Sequence, residues 1–266
     1  MQATAARENA VKQWTTNPCG AIEGDEHTLE YFLEVERRRY EEQPWQRERI
    51  GFERFAGRRV LEVGVGLGTD LAQFAKAGAV CHGVDITDRH LELTARNFAL
   101  RGLPVELKKG DATRIDSPDA SFDAVYSFGV LHHIPDAAAA VREIRRVLKP
   151  GGRFVVALYH TGSFFHLYMV LVRGVLLGRL FRLGYDGLMA TVEGGADGVT
   201  IKPYVKLYTR GETRRLLEGF GVDRVSVHHV EIGRFKATLV GKLVVPVLAA
   251  LEPILGWYVV CDATRG

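Results

Sequence analysis

The spacing of apolar residues changes character near residue 58. Up to about Gly57 the chain is polar and helix-like. Leu29, Phe32, Leu33 and Glu36 share one helical face, and Thr28, next to His27, is placed as a cap. Arg37, Arg38 and Arg39 alternate with Glu34, Glu36, Glu41 and Glu42, which reads as a solvated helix face. From Arg59 onward, short apolar runs alternate with helical patterns. Val60–Val63, Val80–Asp85, Val105–Leu107, Phe122–Ser127 and Phe154–Tyr159 read as strands. Helices over Thr69–Lys76, Asp88–Leu100 and Asp136–Leu148 separate them, and Lys149–Gly152 reads as a turn. Such alternation predicts βαβ units and a parallel sheet.

After His160 the alternation stops. Residues 161–205 are too long for a passive loop, so a lid or cap insertion is expected there. Its first half is apolar, with Phe164, Leu171, Leu176 and Phe181. Its second half carries Gly187, Gly194, Gly195 and Gly198, the composition of a mobile rim. The apolar half is expected to cover a ligand, with Trp14, Tyr31 and Tyr40 closing the other side; a packing or dimer element is the alternative. Thr209 and Glu212 form a capping box. Val222–Val230 then reads as a strand and Trp257–Asp262 as its antiparallel partner, with an apolar helix inserted between them. The chain divides into a helical cap (1–57), a ligand-binding core (58–160), the lid (161–205) and the end of the core (206–266).

Bulk composition narrows the partners. At 266 residues with a formal net charge of +3, nothing argues for nucleic acid or an anionic membrane surface. Phe164–Phe181 carries Arg173 at its middle, and Leu239–Val260 is broken by Lys242, Pro246, Glu252 and Pro253. Both read as buried or interfacial helices, without stable membrane insertion. Three scattered cysteines (Cys19, Cys81 and Cys261) fit a reducing cytoplasm, and no Cys/His spacing predicts a metal site. The opening MQATAARENAVKQW lacks the pattern of an export signal, so a cytoplasmic protein is expected.

The first strand runs into Glu62-Val63-Gly64-Val65-Gly66-Leu67-Gly68, where open α/β sheets bind ligands. A dinucleotide loop needs G-x-G-x-x-G, but the third glycine position is Thr69. Glu62 repels a pyrophosphate and suits an ammonium group, which S-adenosylmethionine carries without phosphate. Asp85, ending the second strand, is placed to accept from ribose hydroxyls. Asp111 is placed to accept from an adenine amino group, or to act as a turn aspartate.

VLEVGVGLGTD, GVDIT, GDA, FDAVYSFGVLHHIPD and EIRRVLKPGGRF together resemble the class I S-adenosylmethionine-dependent methyltransferases, over about Arg58 to His160. The likeness is to the small-molecule group that includes the ubiquinone/menaquinone-biosynthesis methyltransferases. It implies an α/β, Rossmann-like, seven-stranded, mostly parallel sheet with an antiparallel last strand and helices on both faces. It implies S-adenosylmethionine as cofactor, S-adenosylhomocysteine as product, and direct displacement onto an O, N, S or C acceptor. The implied cofactor set is Glu62, Gly64, Gly66, Gly68, Asp85 and Asp111, joined by their neighbours Asp70, Ile86, Ala112 and Ser127, and by Tyr40.

No N/D-P-P-Y/F motif follows the fourth strand, where Ser127-Phe128-Gly129-Val130 stands, so amino methylation of nucleobases is disfavoured. His132 and His133 are candidates for a general base or for shaping the loop. His160 and Tyr159, ending the fifth strand, are alternative candidates. His228 and His229 read as structural. The competing readings are an NAD-dependent oxidoreductase and a non-catalytic S-adenosylmethionine-binding protein. A homodimer is compatible with either architecture.

Overall fold

A computed structural model describes residues 2–231 and 246–266. Seven strands form one sheet: β1 (Arg59–Val63), β2 (Val80–Asp85), β3 (Glu106–Lys109), β4 (Phe122–Phe128), β5 (Leu148–Tyr159), β6 (Phe220–His228) and β7 (Tyr258–Arg265). Their order is β3-β2-β1-β4-β5-β7-β6. β7 runs antiparallel to both neighbours, with Val156 opposite Cys261 and Val227 opposite Val259. The remaining described pairings are parallel. The central strands are buried on both faces, which is why β1 and β4 read as continuous apolar runs. One face packs Leu61, Val125, Ile144 and Phe154; the other packs Phe74, Phe98 and Tyr126.

Before the sheet come α1 (Gln2–Thr16), α2 (Leu29–Glu42) and α3 (Trp45–Ile50). Thr28 caps α2 through its side chain, as expected. Two buried charge clusters tie these helices down. Asp70, opening α4 (Thr69–Lys76), accepts from the Arg39 guanidinium at 3.0 and 2.6 Å. It also accepts from Tyr40, Gln46 and Tyr126. Asp262 of β7 pairs with Arg49 and, at 3.0 Å, with Arg54.

Three features depart from expectation. β5 starts at Leu148, not after a turn: Leu148 already pairs with Phe122, and the register shifts before Ala124 meets Arg153. Residues 161–205 contain a short helix (Phe164–Tyr168), a π-helical stretch (Met169–Leu176), a left-handed turn at Gly178 and a longer helix (Arg179–Ala190). Their inner side packs Met169, Leu188 and Met189 against Leu207 and Trp257, while Leu171, Leu176 and Phe181 face solvent. The glycine-rich half lies under α1 and is not an open rim. A Cβ at Gly195 would overlap the Asn17 amide at 2.4 Å, and one at Gly198 would sit 2.3 Å from the Gly187 carbonyl. These glycines permit close backbone approach. Of the inserted helix expected before Trp257, residues 232–245 lie outside the described residues; Glu252–Leu255 is helical.

Candidate active site

The carboxyl ends of β1, β2, β4 and β5 open onto a cavity of about 870 Å³, roofed by α1, the Cys19–Ile22 loop and α2. Glu62, Gly64, Gly66, Asp70, Asp85, Ile86, Asp111, Ala112, His133 and Tyr159 line it. Gly68, Ser127, Tyr40, His132 and His160 do not, and each has another role. Gly68 has φ +72° and a missing side chain that faces Thr94 at 2.7 Å, so it allows α5 (Asp88–Arg101) to pack closely. Ser127 donates to the Val63 carbonyl, tying β4 to β1. Tyr40 serves Asp70. The expectation that His160 faces the cavity is corrected: its Nδ1 meets the Gly256 carbonyl at 3.0 Å, in the packing around β7.

At the loop, Gly66 has φ +54°, and a Cβ there meets nothing nearer than the Cys19 carbonyl at 3.9 Å, because the space ahead is the cavity. The Glu62 carboxyl is buried, and its Oε2 has no partner among the described residues. Burial, with Asp70 nearby, raises its proton affinity well above that of an ordinary glutamate. A buried carboxyl with one oxygen left without a partner fits a ligand that brings its own cation. Asp85 accepts from the Thr87 N–H at 2.9 Å and the Thr87 hydroxyl at 3.0 Å, with His90 Nδ1 at 3.1 Å. Burial pushes the Asp85 carboxyl up, but His90 and Thr87 outweigh it and hold the group ionised. Asp111 is engaged by Thr113 and by Arg7 at 3.2 Å, so it serves its turn while facing the cavity.

A second cluster sits at the ends of β4 and β5. Glu193, from the insertion, accepts from the Tyr159 hydroxyl at 3.0 Å and lies 3.5 Å from His133 Nε2. His133 Nδ1 faces the Tyr204 carbonyl at 2.8 Å, and Trp14 packs edge-on against the ring. Burial raises the proton affinity of Glu193. His132 lies behind this group, stacked on Tyr159 with 3.7 Å between ring centroids; burial holds it neutral. His132, His133 and Glu193 are also the described group able to ligate a cation, with donor atoms within 4.8 Å of one another. Cys19 lines the same cavity, on its solvent-exposed side.

Glu193 and Arg39 escape a reading of the sequence for different reasons. Glu193 has no local motif and meets His133 only through the fold. Arg39 does have a signal: four residues after Val35 and seven after Phe32, it shares their buried face. Arg37 points outward to Glu34 and Glu41, and Arg38 pairs with Glu34 at the cavity edge, whereas Arg39 reaches the cavity and lies 4.7 Å over the Phe128 ring.

Residues 61–156 match the model of a family described as a methyltransferase domain. The 27-O-demethylrifamycin SV methyltransferase of Amycolatopsis mediterranei (strain S699) is 31% identical over 193 residues, covering 69% of this chain and 70% of that protein. The chain belongs to the S-adenosylmethionine-dependent methyltransferases. Another relative is the demethylmenaquinone methyltransferase of Tropheryma whipplei (strain Twist), 36% identical over 147 residues, covering 52% of this chain and 60% of that protein. The fold is shared with an S-adenosylmethionine-dependent methyltransferase from Mesorhizobium loti, at a TM-score of 0.52 and 21% identity, over 79% and 92% of the two chains.

The methyltransferase is therefore a small-molecule enzyme using S-adenosylmethionine, and the nicotinamide reading is set aside. Asp85→Ala is expected to weaken S-adenosylmethionine binding by about 1–3 kcal/mol, through lost charge-assisted hydrogen bonds. Gly66→Val should abolish it, because the side chain projects into the cavity from a left-handed residue. Calorimetry showing wild-type affinity in both variants would remove the cofactor from this loop.

Proposed function

We propose that this methyltransferase alkylates a compact, largely apolar acceptor whose reacting oxygen or carbon must lose a proton, and that Glu193 takes that proton. The buried Glu193 carboxylate, held on the cavity wall by Tyr159 and faced by His133, carries the proposal. S-adenosylmethionine supplies an electrophilic methyl carbon, open to direct displacement once aligned. Glu62 takes its ammonium group and Asp85 its ribose hydroxyls. Gly64, Gly66, Ile86, Asp111 and Ala112 shape the bed beneath it. Arg39 and its pairing with Asp70 close the roof.

On the acceptor side, Phe128, Tyr159 and Tyr258 contribute aromatic wall, which suits an apolar body. Burial raises the Glu193 carboxyl above the ordinary glutamate value, which makes its carboxylate a stronger base. His133 and Tyr159 position it. His132, stacked behind, keeps Tyr159 in place. Relatives named for a demethylrifamycin and a demethylmenaquinone support a small-molecule acceptor. The modest net charge supports the same class over nucleic acid, and three free cysteines support a cytoplasmic setting.

A library of phenols, enols, carbon acids, amines and thiols, read by S-adenosylhomocysteine release, tests this. Turnover is expected with the acids, with an acid limb above the ordinary glutamate range of about 4.3, because the base must be ionised. Turnover confined to thiols or amines, and indifferent to Glu193→Gln, would overturn it.

A further inference from the structure

The outer side of the 161–205 insertion is the least expected surface of this protein. Phe181 is 81% exposed, Leu176 77% and Leu177 61%, and Leu171 and Val175 are also exposed. The second insertion adds Val247 and Ile254 to the exposed apolar surface. The two insertions touch, since Phe164 packs against the cluster of Val230 and Leu248. Single exposed hydrophobes are ordinary, but five along one short segment, from Leu171 to Phe181, mark a contact surface.

Its charge is mostly positive, with Asp186 exposed at its end. From Thr161 to Tyr185 there is no aspartate or glutamate, whereas Arg173, Arg179 and Arg182 all fall there. Arg173 and Arg179 are close enough to repel each other, and no carboxylate pairs with these three among the described residues. A second copy of the chain is a poor occupant, because a twofold contact would bring these arginines against their own equivalents. An apolar face rimmed by unneutralised arginines matches the boundary between acyl chains and anionic headgroups. No helix among the described residues is long and apolar enough to cross a membrane, so the face would lie on a bilayer.

We propose that this face docks the methyltransferase onto an anionic lipid surface, with Leu176, Leu177 and Phe181 entering the acyl boundary and the arginines meeting headgroups. The opposite side of the same insertion packs on Trp257, in a cluster that includes Tyr159 and Tyr258 of the cavity wall. Docking therefore sets the active-site cavity one layer of side chains from the bilayer. This holds whichever acceptor atom is methylated.

Flotation of the full chain with phosphatidylcholine vesicles, with and without phosphatidylglycerol, tests it. Binding is expected to the anionic vesicles, weakening as salt rises. Each arginine near such a surface contributes about a fivefold factor (about 1 kcal/mol), so Arg179→Gln with Arg182→Gln should lose about twenty-five-fold. Phe181→Glu with Leu176→Glu should abolish binding, while the thermal midpoint and S-adenosylmethionine affinity stay at wild-type values. Equal binding to neutral and anionic vesicles would overturn the proposal. So would arginine variants that bind like the wild type, or a wild-type dimer that Phe181→Glu dissociates.

Discussion

Glu193→Gln is expected to lower kcat by about 10²–10⁴-fold on an acceptor that must be deprotonated, with S-adenosylmethionine affinity unchanged. The amide keeps the shape and the Tyr159 contact but cannot take a proton. Glu193 lies with Tyr159 and His133, apart from the glycine loop that receives the cofactor. His133→Gln should follow it, with a smaller loss where Tyr159 alone still positions the carboxylate. His160→Gln should leave turnover near wild type, because that ring serves the Gly256 carbonyl. The pH profile separates a base from a merely structural residue. Activity in the wild type should fall as pH drops through the raised Glu193 pKa, and that limb should vanish in Glu193→Gln. A Glu193→Gln enzyme with full kcat and the same acid limb would place the base elsewhere.

Arg49→Ala should be among the most destabilising single changes in the chain. Arg49 and Asp262 are both nearly fully buried, and Arg49 also donates to the Ser226 hydroxyl at 2.8 Å. Removing the guanidinium strands the Asp262 carboxylate with only the half-exposed Arg54. Breaking a buried pair from one side costs about 3–5 kcal/mol. In a chain of this size that lowers the thermal midpoint on the order of 10 °C. Arg37 makes pairs of similar length, but its partners are solvated, so Arg37→Ala should leave the thermal midpoint near the wild-type value. Thermal unfolding of both variants side by side checks the contrast. Equal shifts would mean that the pairing of α3 with β7 contributes no more than a surface pair.

What the sequence made legible is what local chemistry decides. Alternating apolar runs located all seven strands, all but the start of β5 to within a few residues, and Thr28 and the Thr209–Glu212 box cap their helices as read. That Glu62, Gly66 and Asp85 would line one cavity was legible because strand ends beside a glycine loop meet at the ligand edge of such a sheet. The outward face of Leu171, Leu176 and Phe181 was not legible. A helix apolar on more than one side does not declare which side meets the core, and the inner side is taken by Met169, Leu188 and Met189. Glu193 was hidden because its partners arrive from β4 and β5, and Gly195 and Gly198 beside it resemble a hinge although they are packed. His160 was misplaced because the end of β5 points towards the ligand edge, whereas its side chain turns into the β7 packing.

Glu62, Gly66 and Asp85 are proposed as the bed of an S-adenosylmethionine site that excludes a dinucleotide. Isothermal titration of the purified chain with S-adenosylmethionine, S-adenosylhomocysteine and NADH, repeated in Glu62→Gln, decides this. Micromolar binding of the first two, no heat from NADH, and weaker S-adenosylmethionine binding in Glu62→Gln are expected. NADH binding in the wild type, or S-adenosylmethionine binding indifferent to Glu62, would contradict it.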